Sequence, residues 1–159
     1  AILSILGDAY RKRDRVAMVA FKGNDAAVLL NPTSSLDLAK KNLEQLPTGG
    51  KTPLSAGLAA GIAVIKKEKL KNNRIKPVMV IISDGRGNVS IRNGNPFDEA
   101  KELCADAREL GVLSVVIDTE TGLIRLGRLA ELADVLGGKY YSMNDIRSDR
   151  IHDIVRETV

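Results

Sequence analysis

Two short apolar runs decide most of what this chain can fold into. Val78-Met79-Val80-Ile81-Ile82 and Val112-Leu113-Ser114-Val115-Val116-Ile117 are rich in β-branched side chains, and each runs into an aspartate, Asp84 after Ser83 in the first case and Asp118 in the second. Neither shows the strict apolar–polar alternation of a strand with one wet face, so both read as strands covered on two sides. Such strands need helices above and below them, and the sequence supplies them. Leu54 to about Lys71 places Leu58, Ile62 and Ile65 at helical spacing. That segment opens on Pro53, which suits a first helical turn, and Gly57 and Gly61 permit close packing. Pro96 to Leu110 and Leu126 to Leu136 read as two more helices, the second stopped by Gly137-Gly138. Lys139 to Ser142 reads as a short edge strand, and Asp145 as the cap of a last amphipathic helix carrying Ile151, Ile154 and Val155.

The first third of the chain differs. Leu3, Leu6, Ala9 and Tyr10 recur at helical spacing with no capping residue before Ala1, which suggests a helix that starts upstream. Arg15 to Phe21 and Ala26 to Leu30 flank the turn Lys22-Gly23-Asn24-Asp25, a hairpin signal. Ser34 or Ser35 can cap a helix with Leu36, Leu43 and Leu46 on one face, ended by Pro47 and followed by a glycine-bearing loop from Thr48 to Lys51. Strands alternating with helices in this way predict the doubly wound α/β class. The sheet is expected to be mostly parallel, with one antiparallel edge strand and helices on both faces. Ligands of such sheets collect beyond the carboxyl ends of the strands. Ser83, Asp84 and Asp118 are therefore the first candidates, although Asp-Gly after a strand is also a common turn.

Composition narrows the function classes. With 44% hydrophobic and 28% charged residues, the 159-residue chain has the make-up of one ordinary globular unit. No apolar run reaches the ~20 residues that a membrane helix needs. The net charge of +4 is small and dispersed, and aromatics are only 3%, so neither a phosphate-backbone binder nor a base-stacking platform is expected. The lysine-rich stretch Lys66, Lys67, Lys69, Lys71, Arg74 and Lys76 fits the solvated end of a helix, where cations complement the helix dipole, better than a nucleic-acid patch. Cys104 is the one cysteine, which excludes an internal disulfide, fits a reducing cytoplasm and reads as a buried small hydrophobe. His152 is the one histidine, so a Ser-His-Asp arrangement would depend on it alone.

Gly50-Lys51-Thr52 looks like the end of a phosphate-binding loop, but Gln45 stands where that motif needs its first glycine, and a helix and Pro47 stand where it needs a strand. Thr52 suits another use. Its hydroxyl lies at the end of a loop just before a helix and can offer a neutral oxygen to a hard cation, while Asp84 offers a charged one. Magnesium takes about six oxygens and commonly keeps several waters, so few protein ligands suffice and room remains for a carboxylate from a partner.

Four stretches together carry a family resemblance: Arg15 to Phe21, Leu46-Pro47-Thr48-Gly49-Gly50-Lys51-Thr52-Pro53-Leu54, Ile82-Ser83-Asp84-Gly85-Arg86 and Val116-Ile117-Asp118-Thr119-Glu120. In these the chain resembles the von Willebrand factor A-type domain of chelatase D subunits over nearly its whole length. The resemblance implies one such domain spanning residues 1–159 and a metal-ion-dependent adhesion site holding Mg2+, with Thr52 and Asp84 as metal ligands, directly or through water. It further implies an interaction module beside an AAA+ ATPase ring and a porphyrin-binding subunit, in an assembly that inserts a metal ion into a tetrapyrrole.

The chain departs from that pattern in one respect, because the family's Asp-x-Ser-x-Ser stretch on a first strand has no counterpart in it. In the family that strand lies between those matching Arg15 to Phe21 and Val78 to Ile82. A gap is expected there, along with an upstream segment or another chain that supplies the strand. Two other readings stand beside the interaction module. One is a metal-dependent hydrolase using Asp84 and Asp118; the lack of a supporting histidine and of a nucleophile elbow argues against it. The other is a scaffold whose metal site is vestigial.

Overall fold

The computed structural model describes residues 2–46, 50–143 and 151–158. Pro47, Thr48, Gly49, Asp145 and the side chains of Ile151, His152 and Val155, all singled out in the sequence, lie outside what is described.

The chain runs α1 (Ile2–Arg11), β1 (Val16–Lys22), β2 (Asp25–Thr33), α2 (Leu36–Glu44), α3 (Leu54–Lys71), β3 (Val78–Ser83), α4 (Pro96–Glu109), β4 (Leu113–Asp118), α5 (Arg128–Leu136), β5 (Lys139–Ser142) and α6 (Ile151–Thr158). β3, β4 and β5 form a parallel sheet in that order, while β1 and β2 pair antiparallel in a sheet of their own. Every element read from the sequence is present, with small shifts at the ends. β2 continues through Pro32 to Thr33, α2 is capped by Ser35, whose hydroxyl accepts the Leu38 N–H, and α5 begins at Arg128 rather than Leu126.

The pleat of the sheet sorts its side chains to two helical layers. Ile81 of β3 and Val116 of β4 face a core built from Leu54, Leu58 and Ile62 of α3, Leu103 and Cys104 of α4, and Leu129, Leu132 and Leu136 of α5. Cys104 is fully buried there, and burial pushes its thiol up to about 12, so it serves as a packing residue as expected. Val115 and Ile117 point to the opposite face, where Val80, Ile82, Tyr141 and Ile154 of α6 meet them. A smaller cluster of Leu6, Leu30 and Ala39 joins α1 and α2 to the hairpin. The hairpin reaches the main core through Phe21, whose ring lies against Gly57 of α3. A Cβ at that glycine would collide with the ring.

β3 and β4 read alike in sequence and differ in the fold. β4 is buried from Ser114 onward, whereas most of β3 is only half-buried. The reason is position: β4 lies between two strands, while β3 has no hydrogen-bonded strand on its other edge among the described residues. The expected separation between β1 and β3 is thus seen as two sheets that are not joined by ladder hydrogen bonds among the described residues.

Candidate functional site

β3 and β4 run in register with Ser83 opposite Asp118, so the segments that follow them leave the sheet at one level. The Thr119 N–H donates to the Ser83 carbonyl at 2.8 Å, and the Met143 N–H donates to the Asp118 carbonyl at 2.9 Å. The hairpin turn belongs to the same rim, since the Gly23 N–H donates to the Lys51 carbonyl at 3.1 Å.

At the end of β3 the chain turns on Gly85, whose φ of 71° lies in the left-handed region and whose Cβ position is 3.1 Å from Leu129 Cγ. The Ser83 hydroxyl oxygen accepts the Gly85 N–H at 3.2 Å, and Asp84 Oδ1 accepts the Arg86 N–H at 3.0 Å. Asp84 Oδ2 meets Arg86 Nε only at 4.0 Å, and the aspartate side chain is 41% exposed. One carboxylate oxygen therefore faces solvent.

Thr52 is tied to this turn by Asn88. The Thr52 N–H donates to Asn88 Oδ1 at 3.1 Å, and the Asn88 N–H returns a bond to the Thr52 carbonyl at 3.2 Å. The Thr52 hydroxyl itself makes no hydrogen bond among the described residues. Gly87 lets the two segments come together, since a Cβ there would lie 3.2 Å from Leu54 Cβ. Sequence reasoning passed over Asn88. The available signal was an amide side chain closing the glycine-rich turn Asp84-Gly85-Arg86-Gly87-Asn88, since asparagine favours local bonds to backbone groups.

The rest of that loop hangs on Glu99 of α4, also missed, which is only 6% exposed. Its carboxylate accepts the Ser90 hydroxyl at 2.6 Å and the N–H groups of Ile91 and Arg92 at 2.8 and 2.9 Å. Burial alone would raise its pKa, but these bonds outweigh it and hold the group at about 2.

Asp118 has a different fate. It is 4% exposed, its Oδ1 accepts the Glu120 N–H at 2.8 Å, and its Oδ2 accepts the Tyr140 hydroxyl at 2.7 Å. Burial, reinforced by the carboxylate beside it, pushes the Tyr140 phenol up to about 12. Both oxygens of Asp118 are thus engaged in holding β4, β5 and the loop between β4 and α5.

No cluster of three or more histidine, cysteine, aspartate or glutamate side chains converges among the described residues. Thr52 offers a hydroxyl and Asp84 an open carboxylate oxygen, both hard donors that suit magnesium and suit soft metals poorly. Thr52 and Asp84 would hold such an ion with waters completing its shell. The ion would supply a positive coordination point for an incoming carboxylate.

The lysine-rich end of α3 lies far along the helix from Thr52. Lys69 donates to the Leu110 carbonyl, and Lys71 and Arg15 pair with Glu68 at 2.9 and 2.6 Å. A cavity of about 290 Å³ there is lined by Arg15, Pro32, Lys67, Glu68 and Lys71, and Glu68 pairs with Arg15 and Lys71 across it.

The sequence profile of the von Willebrand factor type A domain matches residues 1–86. An uncharacterized protein of Methanocaldococcus jannaschii is 39% identical over 157 residues, which span 98% of this chain and 90% of that protein. The magnesium-chelatase 67 kDa subunit of Chlorobaculum tepidum is 35% identical over 165 residues, covering 95% of this chain and 26% of the subunit. The chain thus spans about a quarter of the length of the chelatase subunits it matches. In fold it is similar to the crystal structure of the SpRpn10 VWA domain, with a TM-score of 0.72, 98% of this chain and 79% of that one covered, and 14% identity. The chain belongs to the von Willebrand factor type A domain family, and its relatives include magnesium-chelatase subunits.

Proposed function

We propose that this chain is a cation-dependent protein-interaction module of a chelatase-type assembly, with Mg2+ held near Thr52 and Asp84 and a partner's acidic side chain completing the shell. The observation that carries the reading is that an open Asp84 oxygen and an unbonded Thr52 hydroxyl lie on two segments locked together by Asn88. The likeness to magnesium-chelatase subunits supports an AAA+ ATPase ring and a porphyrin-binding subunit as the partners, and insertion of a metal ion into a tetrapyrrole as the work of the whole assembly. The module organises that assembly and carries out neither the hydrolysis nor the insertion.

A hydrolase built on Asp84 and Asp118 is disfavoured by the burial of Asp118 and by its bonds to the Glu120 N–H and the Tyr140 hydroxyl, which turn it to holding the fold. The test is calorimetric titration of Mg2+ into the chain, alone and with a peptide bearing an Asp-x-Ser-x-Ser strand, with Asp84→Ala as control. Binding in either condition that disappears in Asp84→Ala supports the reading. Absence of binding in both rejects it and leaves a scaffold.

A further inference from the structure

Exposed apolar side chains gather at the rim that carries Asp84. Leu123 is fully exposed and Ile124 and Leu126 are 83% and 53% exposed in the loop between β4 and α5. Met143, after β5, is exposed beside the same strand ends, and Ile91 is exposed in the loop after Asp84. The loop that carries Leu123 and Ile124 is closed at its base. The Glu120 N–H donates to Asp118, and the buried Glu120 carboxylate accepts the Leu126 N–H at 3.1 and 3.3 Å. The two apolar tips thus project from a braced base. The helix that follows, α5, starts against the Asp84 turn, with Leu129 and Arg128 meeting Gly85. Apolar exposure concentrated in one short braced loop, Leu123 to Leu126, marks an interaction surface.

The charges in these turns indicate what covers it. Residues 50–53, 84–95 and 119–127 contain Lys51, Arg86, Arg92 and Arg125 against Asp84 and the buried Glu120. Arg92 pairs with Glu102, but Arg125 sits in the same loop as the apolar tips, and apolar side chains beside arginine suit a segment that brings both apolar and acidic side chains, since opposite potentials steer and align the encounter. We infer that the rim formed by Leu123, Ile124, Arg86 and Arg125 is a docking surface for an acidic, apolar segment of a partner protein. The segment lays leucine- or phenylalanine-like side chains on Leu123 and Ile124 and its carboxylates on the arginines and toward Asp84 and Thr52. The carboxylate at the cation rests on the reading above, whereas the apolar contact does not.

The test uses the 159-residue chain, 15N-labelled, with three sets of synthetic peptides. One set combines aspartate with leucine and phenylalanine, one replaces the apolar residues by serine, and one replaces aspartate by asparagine. Each is titrated in Mg2+ and in EDTA. The first set should shift the amides of residues 121–126. Both control sets, the double variant Leu123→Ser/Ile124→Ser and Arg125→Glu should bind at least about tenfold more weakly, with unchanged thermal unfolding. If binding persists in EDTA and in Asp84→Ala but is lost in the double variant, the cation reading fails and the docking surface stands. If Mg2+ binds through Asp84 while the double variant binds peptide as the parent does, the docking surface fails alone. Absence of peptide binding, self-association abolished by the double variant, or sedimentation with phosphatidylserine vesicles in place of peptide binding would each overturn the proposal.

Discussion

Asp84 and Asp118 stand at the ends of neighbouring parallel strands, each after an apolar run, and the fold puts them to opposite uses. Asp118 ends the middle strand, where β5 on one side brings Tyr140 against it and the following loop folds Glu120 back onto it. Asp84 ends a strand with no hydrogen-bonded neighbour on its other edge among the described residues, and a glycine turn carries the chain away from it. The open carboxylate keeps an oxygen toward solvent, and the closed one braces the rim beside it. A strand-end aspartate is therefore a site only where its neighbours leave it one.

Breaking the open end should affect binding far more than folding. Asp84→Asn keeps an oxygen for the Arg86 N–H but removes the charge. Because partners behind a metal ligand are commonly worth 10–100-fold, loss of a ligand itself should weaken Mg2+ by about hundredfold or more, measured by calorimetry. Unfolding in urea should stay within about 0.5 kcal/mol of the parent. Equal losses in both would place Asp84 with Asp118 as a structural group.

The closed regions should respond the other way. Glu99→Ala strips the acceptors of three groups in the loop after Asp84 and should cost about 2 kcal/mol of stability, toward the middle of the range for orphaned donors because water reaches part of the loop. Its folded pKa of about 2 lies below the ordinary 4.5, so the charged form is favoured by folding. That contribution is complete above pH 4.5 and is lost as the pH falls toward 2. Acid titration of the parent against Glu99→Gln, followed by circular dichroism, should show the difference shrinking in that window. Tyr140→Phe leaves a buried Asp118 oxygen without its donor and should cost about 1.5 kcal/mol, with Mg2+ affinity unchanged.

Local signals carried the architecture into the sequence. The β-branched runs, the Lys22 to Asp25 turn, the Ser35 cap and the glycine stop after Leu136 each belong to one segment and can be read there. The two strand-end aspartates were equally legible as candidates, and their difference was not. It depends on Tyr140, 22 residues beyond Asp118, and on which strand edges are occupied. Glu99 was hidden for a similar reason: in sequence it is an acid in the first turn of a helix, a position favoured by the helix dipole, and only the fold brings the loop down onto it.

Asn88 gives the smallest effect and the finest separation of positioning from folding. It touches Thr52 only through backbone groups, so Asn88→Ala removes an acceptor without removing a candidate ligand. The side chain is exposed, and water can take its place toward the Thr52 N–H, so stability should fall by less than about 1 kcal/mol. Mg2+ affinity should fall by up to about tenfold, the low end for groups that orient a ligand, because the Thr52 hydroxyl loses its fixed bearing on Asp84. Asn88→Asp keeps the acceptor oxygen and should recover the affinity. If alanine and aspartate weaken Mg2+ equally, the bond from Thr52 does not position the site, and the two segments meet there only as packing.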